Sequence, residues 1–130
     1  MKFAIVVQGA PYSHQAPLSA LNFVNAALDA GHEIYRIFFY NDGVNNANDL
    51  IAPPQDETNI HAAWVLLAQK YDIELIVCIA SSLRRGIMND AEVTRYEKLA
   101  ANLNPAFTIS GLGQLIDAGL NADRTVTFAA

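Results

Sequence analysis

A second cysteine is missing from this chain. Cys78 stands alone among 130 residues, so no internal disulfide can form and no resolving thiol exists for a thioredoxin-like dithiol cycle. Basic residues are also scarce: eight Lys and Arg face thirteen Asp and Glu, a formal net charge of -5, with a sequence pI near 4.9. Neutralising phosphates needs clustered cations, so the composition argues against direct nucleic-acid binding, and any link to RNA must run through a partner. No apolar stretch approaches the ~20 residues of a membrane-spanning helix. The opening Met1-Lys2-Phe3-Ala4-Ile5-Val6-Val7 enters a strand directly rather than an export signal, which leads us to expect a cytoplasmic protein without a membrane association. Neither G-x-G-x-x-G nor the Walker pattern is present, so a nucleotide cofactor is unsupported. No two of His14, His32, His61 and Cys78 have the spacing of metal ligands; no cofactor and no metal are expected.

What is present is apolar residues, 52% against 16% charged, enough at this length to bury one sizeable core. One domain, 1–130, is the expectation. Phe3 to Val7 is a β-branched apolar run that ends in the loop Gln8-Gly9-Ala10-Pro11-Tyr12, which predicts a buried first strand. Leu21, Val24 and Leu28 then recur at helical spacing between about Pro17 and Ala30, with Gly31 placed just past the helix end. A second strand is expected from Ile34 to Phe39, and Tyr40 to Gln55 is too irregular to be one element. A loop of that length usually serves a function or an interaction. Ile60, Trp64, Leu67, Ala68 and Tyr71 mark one helix face over 58–71, and Ile73 to Ala80 reads as another buried strand.

Beyond Gly86, Asn89-Asp90-Ala91-Glu92 has the form of a capping box, followed by a helix face of Val93, Tyr96, Ala100 and Leu103. A short strand 106–109, the turn Ser110-Gly111-Leu112-Gly113, a helix of about 112–120 and a last strand 125–128 complete the pattern. Strands alternating with helices predict an α/β fold: an open, mostly parallel sheet of about five strands with helices on both faces. The run Phe38-Phe39-Tyr40 fits either core beneath that sheet or an oligomer interface.

In such sheets ligands and chemistry gather at the carboxyl ends of the strands, and Cys78 lies at one of them. If a helix begins at Ser81, the thiol meets free backbone N–H groups, with Arg84 and Arg85 adding positive charge. Each favours the thiolate, the form that reacts. Buried lone cysteines more often act as small hydrophobes, so position by itself leaves both readings open. A reactive solitary cysteine could serve covalent acyl catalysis, redox sensing or persulfide transport between proteins. Acyl chemistry wants a nearby histidine. His14 shares the carboxyl edge, His32 belongs at the opposite edge, and His61 lies in a helix; no motif supports any of the three.

Several segments together carry a resemblance that no one of them would. These are Phe38-Phe39-Tyr40 with Gly43-Val44 and Ala47-Asn48, Cys78-Ile79-Ala80 through Leu83-Arg84-Arg85-Gly86, Ser110-Gly111-Leu112-Gly113, and Asp123-Arg124 before the last strand. The chain resembles the DsrE/TusD-like sulfurtransferase family from the first strand to Phe128. In the loop after the first strand, Gly9, Tyr12 and Gln15 match the family's pattern and Ser13-His14 departs from it. The resemblance implies the same open sheet and a sulfur relay. In it the cysteine matching Cys78 takes sulfur as a persulfide from a TusA-like donor and passes it on through a TusE-like partner, toward 2-thiolation of the tRNA wobble uridine. It further implies work beside TusB-like and TusC-like subunits in a heterohexamer, a dimer of heterotrimers. Arg84 and Arg85 are candidate stabilisers of the thiolate and persulfide. Two alternatives stay open: a DsrE-type subunit of dissimilatory sulfur oxidation, and a non-catalytic scaffold subunit with an inert cysteine.

Overall fold

A computed structural model describes all 130 residues. In chain order the elements are β1 (Lys2–Val7), α1 (Ala16–Asp29), β2 (Glu33–Phe39), a 3-10 turn (Asn41–Ala47), α2 (Ile60–Tyr71), β3 (Leu75–Cys78), α3 (Ile79–Arg84), α4 (Asp90–Tyr96), β4 (Phe107–Ser110), α5 (Gly113–Asn121) and β5 (Arg124–Phe128). The five strands form one sheet in the order β4-β3-β2-β1-β5, and every pairing is parallel. This is the α/β architecture expected from the alternation of elements. Parallel crossovers are right-handed. The chain steps in one direction from β1 to β4, so α1 and α2 fall on one face, and it reverses to reach β5, which sends α5 to the other.

Strand side chains alternate between faces, and the two sides are unequal. Ile5, Val7, Ile37, Phe39, Leu75 and Val77 join Leu21 and Val24 of α1 and Trp64 and Leu67 of α2 in a cluster of 20 buried residues. Phe39 anchors it, meeting Trp64 edge-on at 5.2 Å between ring centroids and Phe107 at 5.4 Å. The opposite face holds a cluster of three, Phe38, Ile76 and Cys78, with Tyr40 and Leu115 packed against it. Phe38 and Phe39 are therefore both core, one on each side of the sheet.

Helix ends follow local chemistry. Pro17 stands in the first turn of α1, where its missing N–H costs nothing. Asn59 caps α2 and Asn89 caps α4, each accepting a hydrogen bond from the backbone N–H three residues on. The helix after Asn89 is shorter than expected. It stops at Tyr96, with Glu97 in the left-handed region at φ 53°, so Ala100 and Leu103 do not lie on its face. Residues 102–104 instead hydrogen-bond to the main chain of Met88, Ala47 and Asp49; tertiary backbone pairing overrides the helical spacing. The cysteine strand is likewise shorter than its apolar run. Cys78 pairs with Ser110 as the last residue of β3, and Ile79 and Ala80 already belong to α3.

A buried cation fixes α5 to the sheet. Arg36 is 8% exposed. Its Nε donates to Glu74, and its Nη1 donates to the Gln114 carbonyl at 2.7 Å and to Asp117 at 2.8 Å. The Tyr35 hydroxyl donates to the same Asp117 oxygen at 2.9 Å. These bonds, Tyr35's first and Arg36's next, hold the Asp117 carboxyl below the ordinary aspartate value of 3.8. A carboxylate depressed in the folded chain contributes stability above its unfolded value and loses it as pH falls through the folded value. Acid titration below about pH 4 should therefore weaken the α5 attachment, read as rising amide exchange in Gln114–Asn121. Asp117→Asn should flatten that pH dependence. At Gly43, a Cβ would collide with the Val7 carbonyl at the end of β1. Gly43→Ala should cost about 1–3 kcal/mol, as overpacking does, visible as a lower urea midpoint.

Candidate functional site

The carboxyl edge of the sheet is organised by the 3-10 turn. Val44 and Ala47, three residues apart, stack on the same side of a 3-10 helix and both are completely buried. Asn46 between them is also completely buried, and its side-chain amide and its carbonyl are all paired. Its Nδ2 donates to the Gly43 carbonyl at 2.8 Å and to the Gly9 carbonyl at 3.2 Å. Its Oδ1 accepts from Trp64 Nε1 at 3.1 Å, and its carbonyl pairs with His61 Nδ1 at 2.7 Å. One asparagine thus joins the loop after β1, the 3-10 turn and α2. Sequence reasoning did not single it out; its signal was an asparagine held between two apolar residues at 3-10 spacing.

The same turn holds the helix behind Cys78. The backbone N–H of Asn41 donates to Ser81 Oγ at 3.0 Å. Arg85 Nε donates to Asp42 at 2.7 Å, and its Nη1 donates to the Ser81 carbonyl at 3.1 Å. Cys78 is the N-cap residue of α3, so the first-turn amides that lack intrahelical acceptors follow it directly. Its side chain lies on the smaller core face, 3% exposed, among Phe38 and Ile76.

The expected site residues separate into distinct positions. Neither arginine hydrogen-bonds to the thiol. Arg85 is committed to Asp42. Arg84 is exposed at the last position of α3, about 9 Å along the helix from Cys78 at 1.5 Å per residue. His14 lines a cleft with Tyr12, Gln15, Thr58 and Ile60 at the start of α2, and Cys78 is not among its walls. His32 sits at the opposite edge as expected, its Nδ1 2.8 Å from the amino terminus. His61 is buried, stacks on Phe107 at 5.8 Å and faces Asp49 at 3.3 Å through Nε2, a packing role. Tyr12 holds a left-handed φ of 72° while its hydroxyl donates to the Thr58 carbonyl and accepts from the Ile60 N–H. That bridge ties the first loop to the start of α2. No group of three or more His, Cys, Asp or Glu side chains has a metal-binding arrangement, and no helix is long and apolar enough to cross a membrane.

Comparisons with known proteins agree with this geometry. A family model described as the DsrE/DsrF-like family matches residues 1–128. A protein of Allochromatium vinosum named DsrE is 51% identical over 128 residues, 98% of each chain. The sulfurtransferase TusD of Salmonella dublin is 46% identical over 128 residues, 98% of this chain and 100% of its own. The crystal structure of the YchN protein from E. coli shares the fold, with a TM-score of 0.78 at 22% identity over 98% of this chain and 99% of the other. The chain belongs to the DsrE/DsrF-like family and is one of its sulfurtransferases.

Proposed function

We propose that Cys78 is the sulfur carrier of this protein, taking sulfur from a TusA-like donor as a persulfide and relaying it through a TusE-like partner toward 2-thiolation of the tRNA wobble uridine. The observation that carries this reading is the position of the chain's single thiol. It ends an interior strand, next to the edge strand β4, at the carboxyl edge of a parallel sheet, and the helix that follows is pinned by Asn41 and Asp42. In the transfer, the Cys78 thiolate attacks the outer sulfur of the donor's Cys–S–S⁻. The donor's S–S bond breaks, the donor leaves as a thiolate, and Cys78–S–S⁻ forms without net oxidation or reduction. A chain with no second cysteine cannot discharge that persulfide internally as a disulfide. Burial of Cys78 slows attack on the loaded sulfur by stray thiols.

Arg85 supports this chemistry as a positioning residue, holding α3 against the 3-10 turn. The net charge of -5 suits a carrier that meets proteins rather than tRNA. The relay is placed beside TusB-like and TusC-like subunits in a dimer of heterotrimers, in the cytoplasm. A second reading, a DsrE-type subunit feeding dissimilatory sulfur oxidation, is favoured by the higher identity to the DsrE relative, 51% against 46%. The two share the step at Cys78 and differ in the acceptor.

Intact mass after incubation with a persulfide-loaded donor tests the carrier role. Wild type should gain about 32 Da, one sulfur, removable by reductant, and Cys78→Ser should gain nothing. No uptake by wild type with the partner subunits present would leave the scaffold role instead. Transfer of the label onward to a TusE-like protein, against none, separates tRNA thiolation from sulfur oxidation.

A further inference from the structure

Six of the eight basic side chains are engaged within the chain. Arg36, Arg85 and Arg95 pair with carboxylates. Arg124 donates to the Asp123 carbonyl, and Lys2 and Lys70 lie over the rings of Tyr35 and Tyr71. Arg84 and Lys98 have neither a carboxylate within 4 Å nor a hydrogen bond, and both are exposed. The two cations that lack a carboxylate, a ring and a carbonyl partner alike are not scattered. Fourteen positions apart in sequence, they line one groove of about 320 Å³ whose remaining walls are Leu83, Met88 and Tyr96. The groove runs from the end of α3 to the residues just past α4. Its apolar character continues outward: Tyr96 is 48% exposed, and Leu99, next to Lys98, is fully exposed.

We propose that this groove is the docking site of the protein that brings sulfur to Cys78, and that it takes an acidic, amphipathic segment of that partner. One large apolar side chain of the segment seats against Leu83, Met88 and Tyr96, and its carboxylates pair with Arg84 and Lys98. The inference rests on the sulfur-transfer reading above and adds where, and by what chemistry, the donor is held. Charge complementarity selects the partner: unpaired cations around an apolar floor steer an acidic surface into place, while the buried anchor sets the lifetime of the complex. A nucleic acid fits poorly, because two cations neutralise few phosphates. The groove also has the right position. Cys78 is the N-cap of α3 and Arg84 its last residue, so a segment seated in the groove lies about 9 Å along that helix from the residue that carries the thiol.

The test compares two sulfur sources on wild type and on the double variant Arg84→Glu/Lys98→Glu, with sulfur uptake at Cys78 read by intact mass against time. Inorganic polysulfide needs no docking and should load both proteins at equal rates. The persulfidated protein donor should load wild type and load the variant on the order of 10-fold more slowly, and salt should slow only the wild-type reaction. Both substitutions are at exposed positions, and matching thermal unfolding curves verify the fold. Equal donor rates in the two proteins would overturn the groove while leaving the sulfur carrier intact. Loss of polysulfide loading in the variant would overturn it too, by moving the cations into the chemistry. Failure of both sources on wild type would remove the sulfur-transfer reading itself. Competition with the donor by a uridine oligonucleotide, abolished in the variant, would assign the groove to RNA and sink the proposal.

Discussion

The contact on which the carboxyl edge depends is the approach of Gly43 to the last carbonyl of β1. That carbonyl accepts a hydrogen bond from Tyr40 at 3.0 Å, and only a residue without a Cβ fits beside it. From this point the 3-10 turn extends in two directions. Asn46 reaches Gly9, Trp64 and His61, which fixes the first loop and α2. Asn41 and Asp42 reach Ser81 and Arg85, which fixes the helix that starts at the cysteine. A buried asparagine is stable only when its amide is satisfied, so this network sets one geometry for three separate loops. The thiol itself contributes little to its own placement.

The two faces of the sheet have different work. The α1/α2 face carries most of the apolar burial and makes the domain stable. The other face has three fully buried residues at its centre, one of them Cys78, and relies on α5 held through Arg36, Asp117 and Tyr35. Polar anchoring replaces apolar area there, and α5 keeps Ile116 and Leu120 exposed. The charge distribution follows the same division. Arg36 and Arg85, tied to carboxylates, hold α5 and α3 in place, and the two cations with no carboxylate, ring or carbonyl partner converge beside the helix that follows the cysteine.

Much of the fold was legible because it depends on local periodicity. The apolar runs of β1 and β2, the Ile60-Trp64-Leu67-Ala68 stripe and the solitary cysteine before a helix can each be read within a dozen residues. Errors arose where distant backbone competes with local pattern. Ala100 and Leu103 continue the spacing of α4, yet residues 102–104 satisfy main-chain groups at 47–49 and 88. Arg84 and Arg85 look equivalent on paper. Their difference is decided by Asp42, forty-three residues from Arg85, which takes one guanidinium and not the other. Asn46 was overlooked for the same reason, since its partners lie at 9, 61 and 64.

The sequence by itself determined the alternation of strands and helices, the parallel sheet it implies, the absence of a dithiol cycle and the place of Cys78 at a strand end. Those follow from side-chain period, composition and chain direction, which are properties of neighbouring residues. Only the tertiary structure decided which face the cysteine occupies, that it is 3% exposed, that no histidine serves it, and that Arg85 is spent while Arg84 and Lys98 remain free in one groove. These depend on which remote groups come within hydrogen-bonding or ion-pairing distance, and the packing of the 3-10 turn against β1 sets those distances.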